Sequence, residues 1–151
     1  MAGYLTHTPI DVTALLASVA ADGCGASVLF LGTVRRSAED GDVTAIEYSA
    51  YADMAKAEFD RIVNEAAGRW PGARIALRHR LGLIPLGEAS IAIAVACPHR
   101  AEAYDVSRYI IEETKKRVPI WKKERHDSGE ERWVKPAERV HPVSPPSAAR
   151  A

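Results

Sequence analysis

Apolar residues along the chain fall into short β-rich runs, which predict strands. The longest run, from Ala26 to Val34, is apolar nearly throughout and predicts a buried strand. The alternating segment 43–48 is expected to pair with it through residues 37–42, which are polar and predict an exposed loop. A turn segment is expected over 82–87, which contains Pro85. The remaining predicted strands are 4–6, 74–81, 89–96, 120–125 and 132–134.

Three stretches with apolar residues at helical spacing predict helices. Asp11 is a good N-cap for a helix over 12–21. A second helix is predicted over 54–69 and ends at a Pro-Gly pair. The third is predicted over about 100–117 and ends before Pro119, since a proline ring does not continue a helix. The order βαββαββαββ mixes hairpins with helical connections and predicts an α+β protein with a mixed or antiparallel sheet.

Length and composition fit one domain. A chain of 151 residues, 47% hydrophobic and 26% charged, can bury a single core. Residues 1–140 are expected to form it, and the Pro/Ser/Ala-rich segment 141–151 is expected to be disordered. No apolar run approaches the roughly 20 residues that span a bilayer, and the first residues show no signal-peptide pattern. With Cys24 and Cys97 as its two cysteines, both expected to stay reduced, the sequence predicts a cytoplasmic protein.

The charge balance argues against one class of partner. The chain has 20 basic and 20 acidic residues and a formal net charge of +0. Nucleic-acid-binding modules usually carry a strong basic excess, which is missing here. Basic residues are instead concentrated in the stretch 97–124, at both ends of the third predicted helix. A local pocket for an anion is therefore compatible with the neutral total.

His99 and Arg100 stand where the third predicted helix begins. Backbone N–H groups at a helix N-terminus lack partners inside the helix, so with His and Arg they favour an anion. The alternative is a pair of surface residues without function. Arg35 and Arg36, at the end of a buried strand, are a second candidate, since arginine matches phosphate in a bidentate way. Their alternative is two solvated loop charges.

Lys115 and Lys122 lie on either side of Pro119. A helix end, a turn and an extended segment can aim both lysines at one point. A lysine among other cations has a lowered pKa, which makes a neutral amine available as nucleophile or base. The plainer explanation is that cations near a helix C-terminus are favourable without any function. Trp121 is a candidate apolar wall or a core residue, and Glu124 either orients a lysine or is a surface acid.

Other chemistry finds little support in the sequence. Cys97 is an alternative nucleophile because His99 follows two residues later, but free cysteines are usually buried and inert. His79 and His126 have no companions that indicate a metal site. The sequence contains no Gly-rich phosphate loop, GxSxG or HExxH motif.

Five short segments carry a family resemblance. They are FLGTVR at Phe30–Arg35, YxxM at Tyr51–Met54, the pair His99–Arg100, KKRVPIWKKE at Lys115–Glu124 and RWV at Arg132–Val134. In order and spacing they resemble the catalytic (large) subunit of molybdopterin synthase, the MoaE family. The match extends from about Ala26 to Val134, and its most specific part surrounds Pro119. After RWV the sequence departs from the family pattern, so Arg139 is assigned no role.

The resemblance implies an α/β hammerhead-type fold with an additional small antiparallel β-sheet. It implies a central homodimer that binds a small ubiquitin-like subunit at each outer side, giving a heterotetramer. The C-terminal Gly-Gly tail of that subunit, carried as a thiocarboxylate, would enter a pocket of this chain. Sulfur would be transferred twice onto cyclic pyranopterin monophosphate to make the dithiolene of molybdopterin, a step of molybdenum cofactor biosynthesis. The implied sulfurtransferase needs no cofactor or metal of its own, because the partner supplies the sulfur.

The resemblance also implies roles for individual residues. Lys115 and Lys122 would be catalytic. The residues expected to contact the substrate are Thr33, Val34, Arg35, His99, Arg100, Lys115, Lys122, Lys123 and Glu124. The basic residues among them would hold a cyclic phosphate and stabilise charge that develops during the reaction. Sharing of the pocket between two protomers would explain why Arg35 and His99 are far apart in sequence.

Two hypotheses from other classes compete with a sulfurtransferase. The first is a non-catalytic module that binds anions or RNA through the same basic residues. Charge balance and the lack of an aromatic stacking pattern count against the RNA version. The second is a pure interaction subunit with an inactive pocket, which the joint presence of Lys115 and Lys122 disfavours.

Overall fold

The structure is a computed structural model that describes residues 3–36 and 42–134. Within these ranges the chain forms three helices and eight strands. The helices are α1 (Val12–Val19), α2 (Ala52–Arg69) and α3 (Arg100–Arg117). The strands are β1 (Leu5–Thr6), β2 (Ala26–Thr33), β3 (Val43–Ala50), β4 (Arg74–Arg80), β5 (Gly82–Pro85), β6 (Ala89–Cys97), β7 (Ile120–His126) and β8 (Glu131–Val134).

The first sheet has the strand order β1-β4-β6-β2 and is covered on both faces. Strand β6 is antiparallel to β2 and β4, while β1 runs parallel to β4. Successive side chains of a strand point to opposite faces. On β6 the small residues Ala92, Ala94 and Ala96 meet α1, and the larger Ile93 and Val95 belong to the main core with α2 and α3. The two faces of one strand therefore hold the three helices.

The second sheet has the order β5-β3-β7-β8 and is antiparallel throughout. With the first sheet and three helices it confirms the α+β class and the additional antiparallel sheet. The short connection Val118–Pro119 leads from α3 in the main core directly into β7 of the second sheet. This connection positions the site described below.

Several predicted elements are confirmed. Helix α3 has the predicted bounds, and the predicted core positions Ala103, Val106, Ile110 and Thr114 are buried. Asp11 caps α1, because its side chain accepts a hydrogen bond of 3.0 Å from the Ala14 amide. Strands β7 and β8 form the predicted hairpin, with a glycine at φ 84° in its turn. None of the helices in the described part of the chain is long and apolar enough to cross a membrane.

The predicted pairing of β2 with β3 is wrong. Strand β2 pairs with β6, and β3 lies in the other sheet. The physical reason is burial: β2 is apolar on both faces and matches β6, which is buried along its length. Strand β3 carries Glu47, which instead meets Lys123 of β7 at 3.1 Å.

The predicted turn segment 82–87 is also wrong in part, because 82–85 is strand β5. Ile84 is fully buried and pairs with Ile46 of β3, so burial overrides the turn propensity of the flanking residues. Pro85 is tolerated because β5 is an edge strand, where a missing amide donor removes no ladder bond. The predictions for the tail 141–151, for Arg139 and for most of the loop 37–42 lie outside the described residues.

Candidate functional site

The connection at Pro119 separates Lys115 on α3 from Lys122 on β7. Helix α3 ends at Arg117, and the Val118 amide still donates to the Thr114 carbonyl at 3.0 Å. Lys115 lies in the last helical turn and Lys122 is the third residue of β7. Both lysines lie close enough to the His79 ring for their charges to lower its pKa. The charges of both lysines therefore act on one buried group, and their convergence on a substrate stays a prediction.

His79 of β4 is a buried group whose pKa the charges of both lysines lower. Its side chain is enclosed, and its Nδ1 lies 2.9 Å from the Arg80 carbonyl oxygen. Burial lowers the pKa of His79 to about 4, with the charges of Lys122 and Lys115 adding to the effect and the hydrogen bond to Arg80 opposing it. The imidazole is therefore neutral at neutral pH.

Tyr48 links His79 and Lys122 to the end of β2. Its ring packs edge-on to His79 with centroids 5.2 Å apart, and it is the direct cross-strand neighbour of Lys122. Cross-strand neighbours project to the same face, so Lys122 stands beside Tyr48. The Tyr48 hydroxyl is hydrogen-bonded to Ser90, whose hydroxyl donates to the Gly32 carbonyl at 3.2 Å. Burial raises the pKa of Tyr48, so this hydroxyl stays protonated.

Gly32 lies near the end of β2, next to this cluster. A Cβ atom at this position would lie 2.7 Å from Cγ2 of the buried Ile91. The β2–β6 register also shifts between Gly32 and Thr33. A residue without a side chain is therefore required, and the bulge redirects the strand end that carries Arg35.

Thr33, Val34 and Arg35 follow this bulge with different exposure. Thr33 and Arg35 are exposed, whereas Val34 is buried in the core. The Val34 amide donates to the Glu88 carbonyl at 3.0 Å, and its carbonyl accepts from the Gly87 amide at 2.7 Å. Val34 thus anchors the strand end and leaves the side chains before and after it exposed. Their contact with substrate stays a prediction.

Lys123 and Glu124 lie on opposite faces of β7, and only Glu124 is on the face of Lys122. Lys123 points to the opposite face of β7, where Glu47 at 3.1 Å and Glu131 at 3.2 Å surround its ammonium. The hydrogen bond to Glu47 raises its pKa. Glu124 lies on the face of Lys122, with Oε2 3.3 Å from Nε2 of His126.

Trp121 lies on the face of β7 that Lys123 occupies. It is buried and packs edge-on against Tyr51, with centroids 5.4 Å apart. It is therefore a core residue and not the apolar wall beside Lys122 that the sequence left open.

His99 and Arg100 are exposed at the opposite end of α3. His99 is the N-cap and makes no side-chain capping bond. Fifteen residues at a rise of about 1.5 Å separate Arg100 from Lys115 by about 22 Å. Within one chain the structure therefore does not bring the two predicted anion sites together.

The thiol of Cys97, weighed above as an alternative nucleophile, is in the core. Only 1% of the residue is exposed, and burial raises the pKa of its thiol. A buried, protonated thiol is a poor nucleophile. In residues 3–36 and 42–134 no group of His, Cys, Asp and Glu side chains is arranged to hold a metal ion.

Sequence reasoning missed His79, Tyr48 and Ser90 as parts of the site. His79 was considered only as a metal ligand. The signal was its place in the alternation along β4 and the residue after it, where Leu77 and Leu81 are core residues and His79 occupies the core position between them. A titratable residue at a core position needs polar partners, which here are a backbone carbonyl and a tyrosine–lysine pair.

Fold and site together define an α+β protein in which a helix end and a β-hairpin present two lysines to a buried neutral histidine. The family model of the MoaE protein matches residues 5–117. A molybdopterin synthase catalytic subunit from Culex quinquefasciatus is 41% identical over 127 residues, which cover 83% of this chain and 81% of the relative. One from Drosophila willistoni is 39% identical over 140 residues, 91% of this chain but 38% of that longer relative. The chain belongs to the MoaE family.

Solved structures agree with this assignment. A molybdopterin synthase structure from Staphylococcus aureus matches with a TM-score of 0.84 and 32% identity, over 88% of this chain and 96% of the other. A complex of subunits 1 and 2 of the molybdopterin-converting factor from Helicobacter pylori shares the fold, with a TM-score of 0.74 and 22% identity over 89% of this chain and 91% of the other.

Proposed function

We propose that this chain is the catalytic subunit of a molybdopterin synthase and acts as a sulfurtransferase in molybdenum cofactor biosynthesis. The observation that supports the proposal is that a member of the MoaE family carries Lys115 and Lys122 on either side of its α3–β7 connection, with the charges of both acting on the buried His79. The substrate is a cyclic pyranopterin monophosphate, and the sulfur donor is the C-terminal thiocarboxylate of a small ubiquitin-like subunit. In each transfer the thiocarboxylate sulfur would bond to a side-chain carbon of the pterin and displace an oxygen substituent, and water would then cleave the acyl–sulfur bond and release the donor as a carboxylate. Two donor tails are therefore used for each dithiolene.

The lysine pair suits this chemistry. A thiocarboxylate and a cyclic phosphate are both anions, and negative charge moves between them as sulfur is transferred. Ammonium groups held in a partly buried site stabilise such charge more strongly than they would in water. Lys115 is an exposed side chain, able to reach an entering tail, and makes no ion pair within the described residues. Together with Lys122 it would assist addition and proton transfer.

The second anion site, His99 and Arg100, would be supplied by another copy of the chain. Strand β2 is at the edge of the first sheet. One end of β2 leads through Gly32 to the lysine cluster, and the other end meets the α3 N-terminus, where the Gly25 amide donates to the Pro98 carbonyl at 3.2 Å. Antiparallel pairing of two β2 edges about a twofold axis would bring Arg35 of one copy beside His99 and Arg100 of the other.

This arrangement supports a homodimer whose two sites each combine a lysine cluster and an α3 N-terminus. The small subunit would bind outside it to give a heterotetramer, with its tail entering toward Lys115. A relative of the same fold has been solved as a complex of two subunits, which is in line with such a partner.

The test is reconstitution of the full chain with a thiocarboxylated small subunit and cyclic pyranopterin monophosphate, with molybdopterin measured as its fluorescent oxidised derivative. Lys115→Ala is expected to lower the turnover rate by about a hundredfold or more, since general acid–base and electrostatic contributions are of that size. Binding of the small subunit should be unchanged.

Lys116→Ala is the matched control. Lys116 has the same side chain in the same helical turn, is 63% exposed and lies 3.8 Å from Glu113. Its removal should leave the rate within about twofold. Equal losses in both variants would show a general charge effect, and full activity of Lys115→Ala would refute the catalytic assignment.

A further inference from the structure

The turn between β5 and β6 lies against the end of β2. In this β5–β6 turn the Glu88 amide donates to the Pro85 carbonyl at 3.2 Å, and Gly87 has a φ of 83°, as the third residue of a type II turn requires. The Val34 amide donates to the Glu88 carbonyl at 3.0 Å, and the Val34 carbonyl accepts from the Gly87 amide at 2.7 Å. The position of the turn therefore sets the position of the strand end that carries Arg35.

The side chain of Glu88 ties the β5–β6 turn to a further strand. Its Oε1 lies 3.0 Å from Nη1 of Arg80, the last residue of β4. The Arg80 side chain is only 12% exposed, and its Nε has no hydrogen-bond partner in residues 3–36 and 42–134. A guanidinium that is largely buried needs a carboxylate to balance its charge, and Glu88 supplies it.

The other bonds of the β5–β6 turn named here join backbone groups. The Leu86 amide donates to the Thr44 carbonyl of β3 at 3.3 Å, and the two bonds to Val34 are also between main-chain atoms. Arg80 is itself fixed in the sheet, since its carbonyl oxygen lies 2.9 Å from Nδ1 of the buried His79. The ion pair with Arg80 is thus a contact that a substitution can remove while the backbone bonds of the turn remain possible.

Arg35 and Arg36, which follow Val34, have different surroundings. Arg36 lies 3.4 Å from Asp42, whereas Arg35 is exposed and makes no ion pair within the described ranges. Arginine matches a phosphate group in a bidentate way, and this geometry depends on how the guanidinium is aimed. For Arg35 the aim is set by the strand end that Val34 anchors.

We propose that Glu88 is a positioning residue for substrate binding, whose ion pair with Arg80 holds the β5–β6 turn against Val34 and thereby orients Arg35 toward the cyclic phosphate of the substrate. The part that concerns the substrate rests on the proposed function, whereas the ordering of the strand end does not. Neither Glu88 nor Arg80 contacts the substrate in this account, and both act through Arg35.

Glu88→Gln tests this, because it removes the charge and keeps the size of the side chain. In reconstitution of the full chain with the thiocarboxylated small subunit, it should raise KM for cyclic pyranopterin monophosphate by about fivefold or more and leave kcat within about twofold. In an Arg35→Ala background the same substitution should change KM by less than about twofold, because the group that it positions is gone. A merely structural role would raise KM by the same factor in both backgrounds.

Glu112→Gln is the matched control. Glu112 forms an ion pair of 2.9 Å with Arg108 on the exposed side of α3, and its loss should leave KM and kcat within about twofold. Arg80→Gln removes the other member of the proposed tie and should reproduce the rise in KM, with no further rise when it is combined with Glu88→Gln. If Glu88→Gln does not fold, Arg80→Gln with and without Arg35→Ala decides the matter.

Amide hydrogen exchange in the free protein measures the strand end directly. In Glu88→Gln, the amides of Val34 and Gly87 should exchange about tenfold faster than in wild type, while the amide of Ala94 in the middle of β6 should be unchanged. Local loosening accelerates only the first two amides, whereas global destabilisation accelerates all three.

Three results would overturn the inference: an unchanged KM in Glu88→Gln, an equal rise in KM in both Arg35 backgrounds, or no selective acceleration of the Val34 and Gly87 amides. A wild-type chain that transfers no sulfur would refute the proposed function alone, because the exchange measurement needs no turnover.

Discussion

Lys115 and Arg117 are two residues apart on α3, yet their surroundings are opposite. Arg117 is bound by three carboxylates, with contacts of 3.2 Å to Glu58, 2.6 Å to Glu65 and 3.4 Å to Glu113. The hydrogen bond to Glu65 is the main cause of the raised pKa of Arg117. Lys115 has no carboxylate partner in the described chain, and its charge helps to lower the pKa of His79. A neutralised cation ties α2 to α3, whereas an unneutralised one is available to a ligand.

The two neighbouring lysines of β7 also lie in different surroundings. Lys123 is enclosed by Glu47 and Glu131 on one face, and Lys122 stands beside Tyr48 and His79 on the other. In α3 and in β7, cations that are close in sequence project in different directions. One of each pair is held by carboxylates, and the other is the candidate catalytic residue. The partner of a basic residue therefore indicates its role better than its position in a basic run does.

The largest expected effect is on the pH dependence of stability, and it comes from the buried neutral His79. Its pKa is about 4 in the folded protein and 6.5 ordinarily, so between these values the unfolded chain binds a proton that the folded chain does not. Stability from this group is present above pH 6.5 and is lost as pH falls toward 4. The loss between pH 7 and pH 4.5 should be about 2–3 kcal/mol.

Urea unfolding of wild type and His79→Gln at these two pH values measures the difference. The variant should lose less stability than wild type on acidification, by about that amount. His7→Gln, at an exposed position, is the control and should follow wild type. Parallel curves for wild type and His79→Gln would contradict a buried neutral histidine.

A smaller effect on stability is expected from Arg117, the cation that carboxylates neutralise. Arg117→Met should lower the free energy of unfolding by about 2 kcal/mol and the melting temperature by several degrees, because Glu58 is left largely buried without one of its cations. Lys115→Met, the matched change two residues earlier, should alter stability by less than about 0.5 kcal/mol. Thermal unfolding of both variants checks this, and an equal loss in each would remove the distinction between the two cations.

Local sequence signals predicted the parts of the molecule that depend on neighbouring residues. The bounds of α3 follow from apolar spacing and from Pro119, and the β7–β8 hairpin follows from its polar turn. The pairing of β2 with β6 was missed, because it depends on which strands are buried on both faces, and that is a property of the assembled sheet.

The site was predictable to a similar extent. Lys115 and Lys122 were expected to converge because a helix end, a proline and a strand start lie within eight residues. His79 comes from a strand far away in sequence, and its hydrogen-bonding partner is a backbone carbonyl, which leaves no motif. The separation of His99 and Arg100 from the lysines follows from the length of α3, which the sequence did contain.

The most direct test of the whole account is complementation between two inactive variants. Lys115→Ala removes one lysine from the cluster of a protomer, and Arg100→Ala removes its α3 N-terminal arginine. If each site combines these groups from two protomers, a mixed dimer has one intact site and one site that lacks both. Random mixing by co-refolding then restores about a quarter of wild-type activity, since half of the dimers are mixed and each has one of two sites. Activity no higher than that of the separate variants would contradict a site shared between two copies.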